Sequence, residues 1–129
     1  MKYLTVEEVV KIHAVAIELK GGSPDVLDAG LVESAVEHVR QTFDGALLYT
    51  TVEEVAAAYW HSITTNHGFR DGNKRTAVMA AAAFLAKNGY ALDMDDDEII
   101  EVSLAMAGKG MSRKEIFEIV RHRIVRIEG

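Results

Sequence analysis

Apolar residues recur every three to four positions along most of this chain, which is the spacing of amphipathic helices. The first such segment begins after Thr5, which together with Glu8 has the spacing of a capping box. His13 falls on its apolar face, where a histidine is more often a satisfied core residue than a ligand. Gly21 and Gly22 leave the helical conformation at low cost, so the first helix is expected to end there.

A second helical pattern starts after Asp28, a suitable N-cap residue, and runs to about Phe43. Asp44 and Gly45 then break the periodicity. The following segment, residues 46–50, is short and apolar. We expect it to be an extended flap rather than a strand of a large sheet.

Two helices are predicted in the middle of the chain. Thr51 and Glu54 form a second capping-box pattern, which predicts a helix to about Asn66. The next helix is expected over Asn73–Lys87. Its interior, residues 77–85, is apolar on nearly all sides, a composition typical of a helix buried at the centre of a domain.

The last part of the chain predicts a connector and two further helices. Residues 90–94 are a connector with a possible β pair, and an aspartate at 95–96 caps a fifth helix that ends near Ala107. Ser112 and Glu115 form a third capping-box pattern at the start of the sixth helix. Five apolar residues of this helix are expected to face inward: Ile116, Ile119, Val120, Ile124 and Ile127. The pattern predicts a single all-α domain of six helices over residues 1–129.

Composition narrows the class of protein. The chain has 129 residues, 49% hydrophobic and 26% charged, with no cysteine, so disulfides and thiolate metal sites are excluded. The net charge of −6 lies entirely in residues 1–65, which argues against a general nucleic-acid binder because phosphate contacts need cations. The start has no signal-peptide layout, and the longest apolar run is about half the ~20 residues that span a membrane. We expect a soluble cytoplasmic protein without membrane or direct nucleic-acid partners.

The candidate chemistry is concentrated in residues 67–75, which read HGFRDGNKR and precede the fourth helix. The free backbone N–H groups of a helix N-terminus form an anion site, and Gly72 lets a ligand approach the backbone. Asn73 adds a side-chain donor, while Lys74 and Arg75 add two positive charges. Cations at this end of a helix oppose its dipole. A bound polyphosphate would remove that conflict, so the pattern favours a phosphate site.

Two other residues of this stretch, Asp71 and His67, allow two readings each. Asp71 either caps the fourth helix or coordinates Mg²⁺ that bridges a polyphosphate. His67 either accepts a proton from an attacking hydroxyl or caps the last carbonyl groups of the third helix. Phe69 is expected to anchor the loop in the core. Three hydroxyl side chains near His67 are weak candidate nucleophiles: Ser62, Thr64 and Thr65.

The string H-x-F-x-D-G-N-K-R resembles the signature of the Fic/Doc family, and most closely its Doc branch of toxins from toxin–antitoxin pairs. Residues 7–13, the break at Gly21 and Gly22, and residues 83–89 also look like Doc proteins. The resemblance implies a compact six-helix bundle around a central buried helix. It also implies that His67 is the general base, that Asp71 holds the metal and that Phe69 is a core anchor. The implied nucleotide- and phosphate-binding residues are Gly72, Asn73 and Arg75, and the positive charge of Lys74 adds a fourth candidate for this site.

Two positions separate the chain from Fic adenylyltransferases. Those enzymes carry glycine where this chain has Lys74, and a second arginine where it has Val78. Doc-like proteins share both differences. The resemblance therefore implies a protein kinase that uses ATP and Mg²⁺, phosphorylates a threonine of elongation factor Tu and halts translation. The alternatives are a Fic-type adenylyltransferase, which transfers AMP, and a non-catalytic binding protein on the same fold.

The resemblance also bears on how the protein is inhibited. The inhibitory motif of some Fic proteins, Ser/Thr-x-x-x-Glu-Gly/Asn, is approached only by residues 50–54, and Val55 occupies its last position. The capping box of Thr51 and Glu54 explains these residues better. Inhibition is therefore expected to come from a separate Phd-like antitoxin, whose binding groove the sequence does not locate.

Overall fold

Six α-helices form the architecture of residues 1–127, the part of the chain that the computed structural model describes. Residues 128 and 129, which close the domain predicted over 1–129, lie outside the described residues. The helices are α1 (Val6–Lys20), α2 (Ala29–Glu37), α3 (Val52–Asn66), α4 (Asn73–Lys87), α5 (Asp96–Lys109) and α6 (Arg113–Arg123). The short strands are β1 (Thr42–Phe43), β2 (Ala46–Leu47), β3 (Tyr90–Leu92) and β4 (Ile124–Arg126). The all-α prediction with six helices is confirmed.

Local capping determines where five of the helices begin. In each, the side chain of the N-cap residue accepts a hydrogen bond from the backbone N–H three residues later, which satisfies one of the free donors of the first turn. Four of these caps are full capping boxes, including the three predicted from sequence. The five N-cap residues are Thr5, Asp28, Thr51, Asp95 and Ser112. Only α4 begins differently, at Gly72.

The core is built around α3, whose buried residues include Tyr59 and Trp60, both with no exposed surface. Helix α4 packs along it and buries seven residues, but Ala82 and Ala86 are exposed. These two alanines are four residues apart and so share one face, where a methyl group leaves too little apolar surface to require a covering element. Helix α4 is therefore less buried than its apolar composition predicted. The most buried helix is α3.

The prediction that the second helix reaches Phe43 is wrong. Helix α2 ends at Glu37 and is followed by a 3₁₀ turn over His38–Arg40. Strands β1 and β2 then form a small antiparallel hairpin. Its turn residues, Asp44 and Gly45, have φ of 51° and 79°, the paired positive values of a type I′ hairpin turn.

The sixth helix is shorter than predicted, because the chain leaves it at Arg123 and continues as β4. This strand pairs antiparallel with β3, which confirms the β pair suggested for residues 90–94. Ile116 and Val120 are buried as expected. Ile124 packs against the core as predicted, but it does so from the strand and not from the helix. The inward helical position predicted for Ile127 is wrong, because Ile127 follows the strand and is half exposed.

Candidate active site

The candidate site is the loop of residues 67–72, which joins the C-terminus of α3 to the N-terminus of α4. His67 is the C-cap of α3 and has left-handed backbone angles of φ 52° and ψ 43°. Its side chain is exposed, and its ring has no hydrogen-bond partner among residues 1–127. The reading of His67 as a side-chain cap of the helix carbonyls is therefore wrong, and the ring is accessible to an incoming hydroxyl.

Gly68 holds the loop against the segment before α2. Its carbonyl oxygen accepts hydrogen bonds from the backbone N–H groups of Leu27 and Asp28, at 2.9 and 3.1 Å. A Cβ at this position would lie 2.6 Å from Cγ2 of Val32, so only glycine fits between the loop and α2. One residue further on, the backbone of Phe69 pairs with that of Val26. The loop is thus tied along its length to the chain between α1 and α2.

Phe69 is the buried anchor that the sequence predicted, with only 2% of its surface exposed. Its ring lies flat against the imidazole of His13, with ring centroids 3.8 Å apart and an interplanar angle of 8°. Asn73 holds the Phe69 backbone from the other side. Its Oδ1 accepts from the Phe69 N–H at 3.1 Å, and its Nδ2 donates to the Phe69 carbonyl oxygen at 2.8 Å. The Asn73 side chain therefore braces the loop. The sequence suggested that this side chain donates to a ligand, but both of its polar atoms already have hydrogen-bond partners on the Phe69 backbone.

Asp71 does not cap α4, so that reading of the sequence is wrong. The N-cap residue is Gly72, with φ of 81° and no side-chain capping bond. Oδ2 of Asp71 instead accepts from the backbone N–H of Ser23 at 2.8 Å, and its backbone oxygen accepts from Nε2 of His13, also at 2.8 Å. Within the described part of the chain, Oδ1 has no hydrogen-bond partner.

The Asp71 carboxylate fits Mg²⁺ that is bound together with a polyphosphate. No group of three or more metal-binding side chains occurs in residues 1–127, so the chain offers no all-protein cage there. Mg²⁺ commonly uses one or two carboxylates plus substrate phosphates and water. An exposed carboxylate with one oxygen available matches that second mode of binding.

The first turn of α4 carries the candidate phosphate site. Thr76 donates the first helical hydrogen bond, to the carbonyl oxygen of Gly72 at 2.9 Å, which leaves the N–H groups of residues 73–75 without helical partners. Lys74 is exposed, whereas Arg75 is half-buried and donates from Nη1 to the carbonyl oxygen of Ala16 at 3.2 Å. The donors of one helix end and two cations therefore lie together, with Arg75 already oriented by α1.

Val78 lies one turn further along α4 and is buried in the hydrophobic core. The position at which Fic enzymes carry a second arginine is therefore apolar here and points to the protein interior. A charged side chain at this position would need to leave the core to reach a ligand. The structure thus offers Lys74 and Arg75, but no further cation from this face of the helix.

Three hydroxyl groups near His67 are occupied by structural hydrogen bonds. Ser62 donates to the carbonyl oxygen of Ala35 at 2.9 Å, and Thr64 donates to that of Trp60 at 2.8 Å. Thr65 donates to the carbonyl oxygen of His61 at 2.9 Å. Ser62 and Thr64 are also buried, so their reading as weak candidate nucleophiles is not supported.

A wide groove on α2 contains none of the motif residues. It is lined by Gly30, Glu33, Ser34, Glu37, His38 and Gln41. Burial and the nearby Arg113 guanidinium lower the pKa of His38, which favours its neutral form. With two carboxylates and no cation in its lining, the groove is electrostatically unsuited to a nucleotide. The groove is therefore not a candidate phosphate site.

Sequence reasoning missed two groups that hold the loop, the imidazole of His13 and the backbone N–H of Ser23. Both contact Asp71, from positions 58 and 48 residues away in the chain. His13 was interpreted as a core histidine, and its burial fits that interpretation. A histidine on an apolar helix face, followed by a Gly-Gly break, was the available signal, but it carries no information about its distant partner.

Comparisons with known proteins agree with the motif. The model of the Fic/DOC family matches residues 3–85. A protein named Toxin Doc, from Mycolicibacterium smegmatis, is 40% identical over 96 residues, which cover 74% of this chain and 72% of that protein. A protein named Protein kinase doc, from Escherichia phage P1, is 29% identical over 121 residues, which cover 94% of both. No helix in residues 1–127 is long and apolar enough to cross a bilayer.

Proposed function

This chain belongs to the Fic/Doc family, and on that basis we propose that it is a Doc-type toxin with protein kinase activity. In this proposal it transfers the γ-phosphate of ATP to a threonine of elongation factor Tu in the cytoplasm and so arrests translation. The similarity to relatives named as a toxin and as a protein kinase supports this class of function. The observation that carries it is the pairing of an exposed His67 with a cationic helix N-terminus at the two ends of one loop.

His67 is the general base of the proposed reaction. Its ring accepts the proton of the target hydroxyl, whose oxygen then forms a bond to the γ-phosphorus. The bond between that phosphorus and the oxygen bridging to the β-phosphate breaks, and ADP leaves with the electron pair. The proton passes from His67 to solvent. An exposed imidazole without a competing hydrogen bond in residues 1–127 suits this role.

The phosphates are proposed to bind at the first turn of α4. Gly72 permits close approach, and the N–H groups of residues 73–75 donate to phosphate oxygens. Asn73 acts through its backbone N–H and by bracing Phe69, while Lys74 and Arg75 neutralise charge. Asp71 would hold Mg²⁺, which shields the charge of the polyphosphate. Catalysis is then mostly positioning and charge stabilisation, as is usual for phosphoryl transfer.

AMP transfer is the second candidate, because the family model covers Fic proteins as well. The burial of Val78 and the presence of Lys74 favour γ-phosphate transfer over it, since the cation that Fic enzymes place at position 78 is absent. A non-catalytic binding protein would not need an accessible histidine beside the phosphate site. Kinase activity therefore remains the preferred proposal.

Inhibition is proposed to come from a separate Phd-like antitoxin. Glu54 Oε1 accepts hydrogen bonds from the backbone and hydroxyl groups of both Thr50 and Thr51. This glutamate is therefore committed to the start of α3 instead of reaching the phosphate site. Inhibition of the toxin then requires a partner protein.

Labelled ATP tests the proposal in a bacterial extract. Label from γ-labelled ATP should appear on elongation factor Tu, whereas label from α-labelled ATP should not. His67→Ala should abolish the transfer, while His122→Ala, which removes an exposed histidine of α6, should leave it unchanged. Transfer of the α label would instead support AMP transfer, and the absence of any protein label would favour the binding protein.

A further inference from the structure

Asp71 is held at two points by the first helix and the turn that follows it. Nε2 of His13 donates to its backbone oxygen, and the backbone N–H of Ser23 donates to its Oδ2, both at 2.8 Å. Gly22 completes the contact, because a Cβ there would lie 3.0 Å from Cβ of Asp71. We call His13, Gly22 and Ser23 the Asp71 cradle.

His13 is itself fixed in orientation. It is 2% exposed, and one face of its ring lies flat on Phe69. Because a carbonyl oxygen can only accept, the hydrogen bond to Asp71 requires a proton on Nε2. Gly72 lies against the same ring edge, where a Cβ would come within 3.7 Å of Nε2. The imidazole ring of His13 therefore fixes the position of the backbone where the loop ends and α4 begins.

Gly22 lets the turn approach Asp71 closely. Its φ of 109° lies in the region that favours glycine. Gly21, its neighbour, also has a positive φ, of 83°, but a Cβ there would meet no atom within 4 Å. Alanine would therefore strain the backbone at either glycine, but only at Gly22 would its Cβ also lie against Asp71.

We infer that the Asp71 cradle positions the carboxylate for a divalent cation, and that His13 is a positioning residue of the site. The inference rests on the proposed function. Fixing the backbone oxygen and Oδ2 leaves Oδ1 as the oxygen available to the cation. Mg²⁺ demands near-ideal octahedral geometry, so a small displacement of this oxygen weakens binding. Loss of such outer-shell partners typically costs about 10- to 100-fold in metal affinity.

Substitution of Gly22 and, as its control, of Gly21 tests the inference in the whole 129-residue chain. Calorimetry measures the affinity for ATP with and without Mg²⁺, which needs no turnover. Gly22→Ala should reduce the gain in affinity that Mg²⁺ provides by about 10-fold, and Gly21→Ala should leave that gain within twofold of wild type. ATP affinity without Mg²⁺ should be unchanged in both. An equal effect of the two substitutions would overturn the role of the cradle.

Two substitutions separate the hydrogen bond of His13 from its packing. His13→Phe keeps a ring against Phe69 but loses the donor, so it should lose the Mg²⁺-dependent gain. His13→Gln keeps an N–H donor and should restore most of it. A wild-type Mg²⁺ response in His13→Phe would overturn the inference while leaving the proposed function intact. If wild-type protein itself binds no ATP, the proposed function fails and the inference fails with it.

Discussion

The side-chain amide of Asn73 hydrogen-bonds to both backbone polar groups of Phe69, accepting at 3.1 Å and donating at 2.8 Å. The first residue of α4 thus closes the loop that leads into it. Because Phe69 is buried, the bond pair links the core to the candidate phosphate site. The helix start and the anchor of the loop therefore act as one unit.

Asn73→Ala tests this link. Loss of two partly buried hydrogen bonds should lower the free energy of unfolding by about 1–3 kcal/mol, as measured by urea denaturation. Hydrogen exchange at the Phe69 amide should become faster. Asn66→Ala is the control, because Asn66 makes a single longer bond of 3.3 Å to the Leu31 carbonyl oxygen. Equal losses of stability in the two variants would show that the pair of hydrogen bonds to Phe69 stabilises the protein no more than the single hydrogen bond of Asn66.

Gly68→Ala should separate the loop from α2. The added Cβ would lie 2.6 Å from Cγ2 and 3.0 Å from the backbone nitrogen of Val32, so the loop or the helix must move. Overpacking of this kind typically costs about 1–3 kcal/mol. Thermal denaturation should show the loss, and activity should fall because the loop is displaced.

Gly108→Ala provides the control for this substitution. A Cβ at Gly108 would meet nothing within 4 Å, and alanine is favoured over glycine inside a helix by roughly 0.5–1 kcal/mol. This variant should be as stable as wild type or slightly more so. Unchanged stability of Gly68→Ala would contradict the tight contact with α2.

Acid stability should depend on the ion pair between Glu98 and Arg123, which ties α5 to the end of α6. The hydrogen bond from Arg123, aided by the backbone N–H of Asp95, lowers the pKa of Glu98 from 4.5 to about 2. A lowered folded-state pKa stabilises the protein above the unfolded value, and this stabilisation is lost as pH falls through the folded value. The contribution should therefore disappear between pH 4.5 and about 2.

Urea denaturation of Glu98→Gln at several pH values measures this contribution. The variant should be less stable than wild type at pH 7, and the difference should vanish by about pH 2. Glu118→Gln is the control, since Glu118 pairs with Arg121 three residues away on the exposed face of the same helix and therefore links no two elements. A difference for Glu98→Gln that stays constant with pH would argue against the ion pair.

Local patterns accounted for what could be predicted from sequence. The N-cap of α1, for example, is formed by Thr5 and Glu8, which are three residues apart, so a short stretch of sequence is enough to predict it. The candidate site was equally accessible because its residues are consecutive. His67 and Arg75 lie at opposite ends of one short segment, the loop plus the first turn of α4, whatever fold the rest of the chain adopts.

Non-local contacts accounted for the errors. Strand β4 looked like a continuation of the sixth helix, because its partner Tyr90 is 36 positions before Arg126. The hairpin was missed because the apolar residues before Asp44 also fit a helical period, although the Asp-Gly pair is a hairpin signal. Spacing alone left a helix cap open as a reading of Asp71, because its partners, His13 and Ser23, lie 58 and 48 positions earlier in the chain. Pairing over long separations leaves no local pattern to read.

The intact mass of purified elongation factor Tu tests the central proposal most directly. After incubation with this protein, ATP and Mg²⁺, we expect the target to gain the mass of one phosphoryl group on a threonine. The His67→Ala variant should produce no gain. Addition of AMP, or a phosphoryl gain that persists with His67→Ala, would contradict the assignment of a Doc-type kinase with His67 as its base.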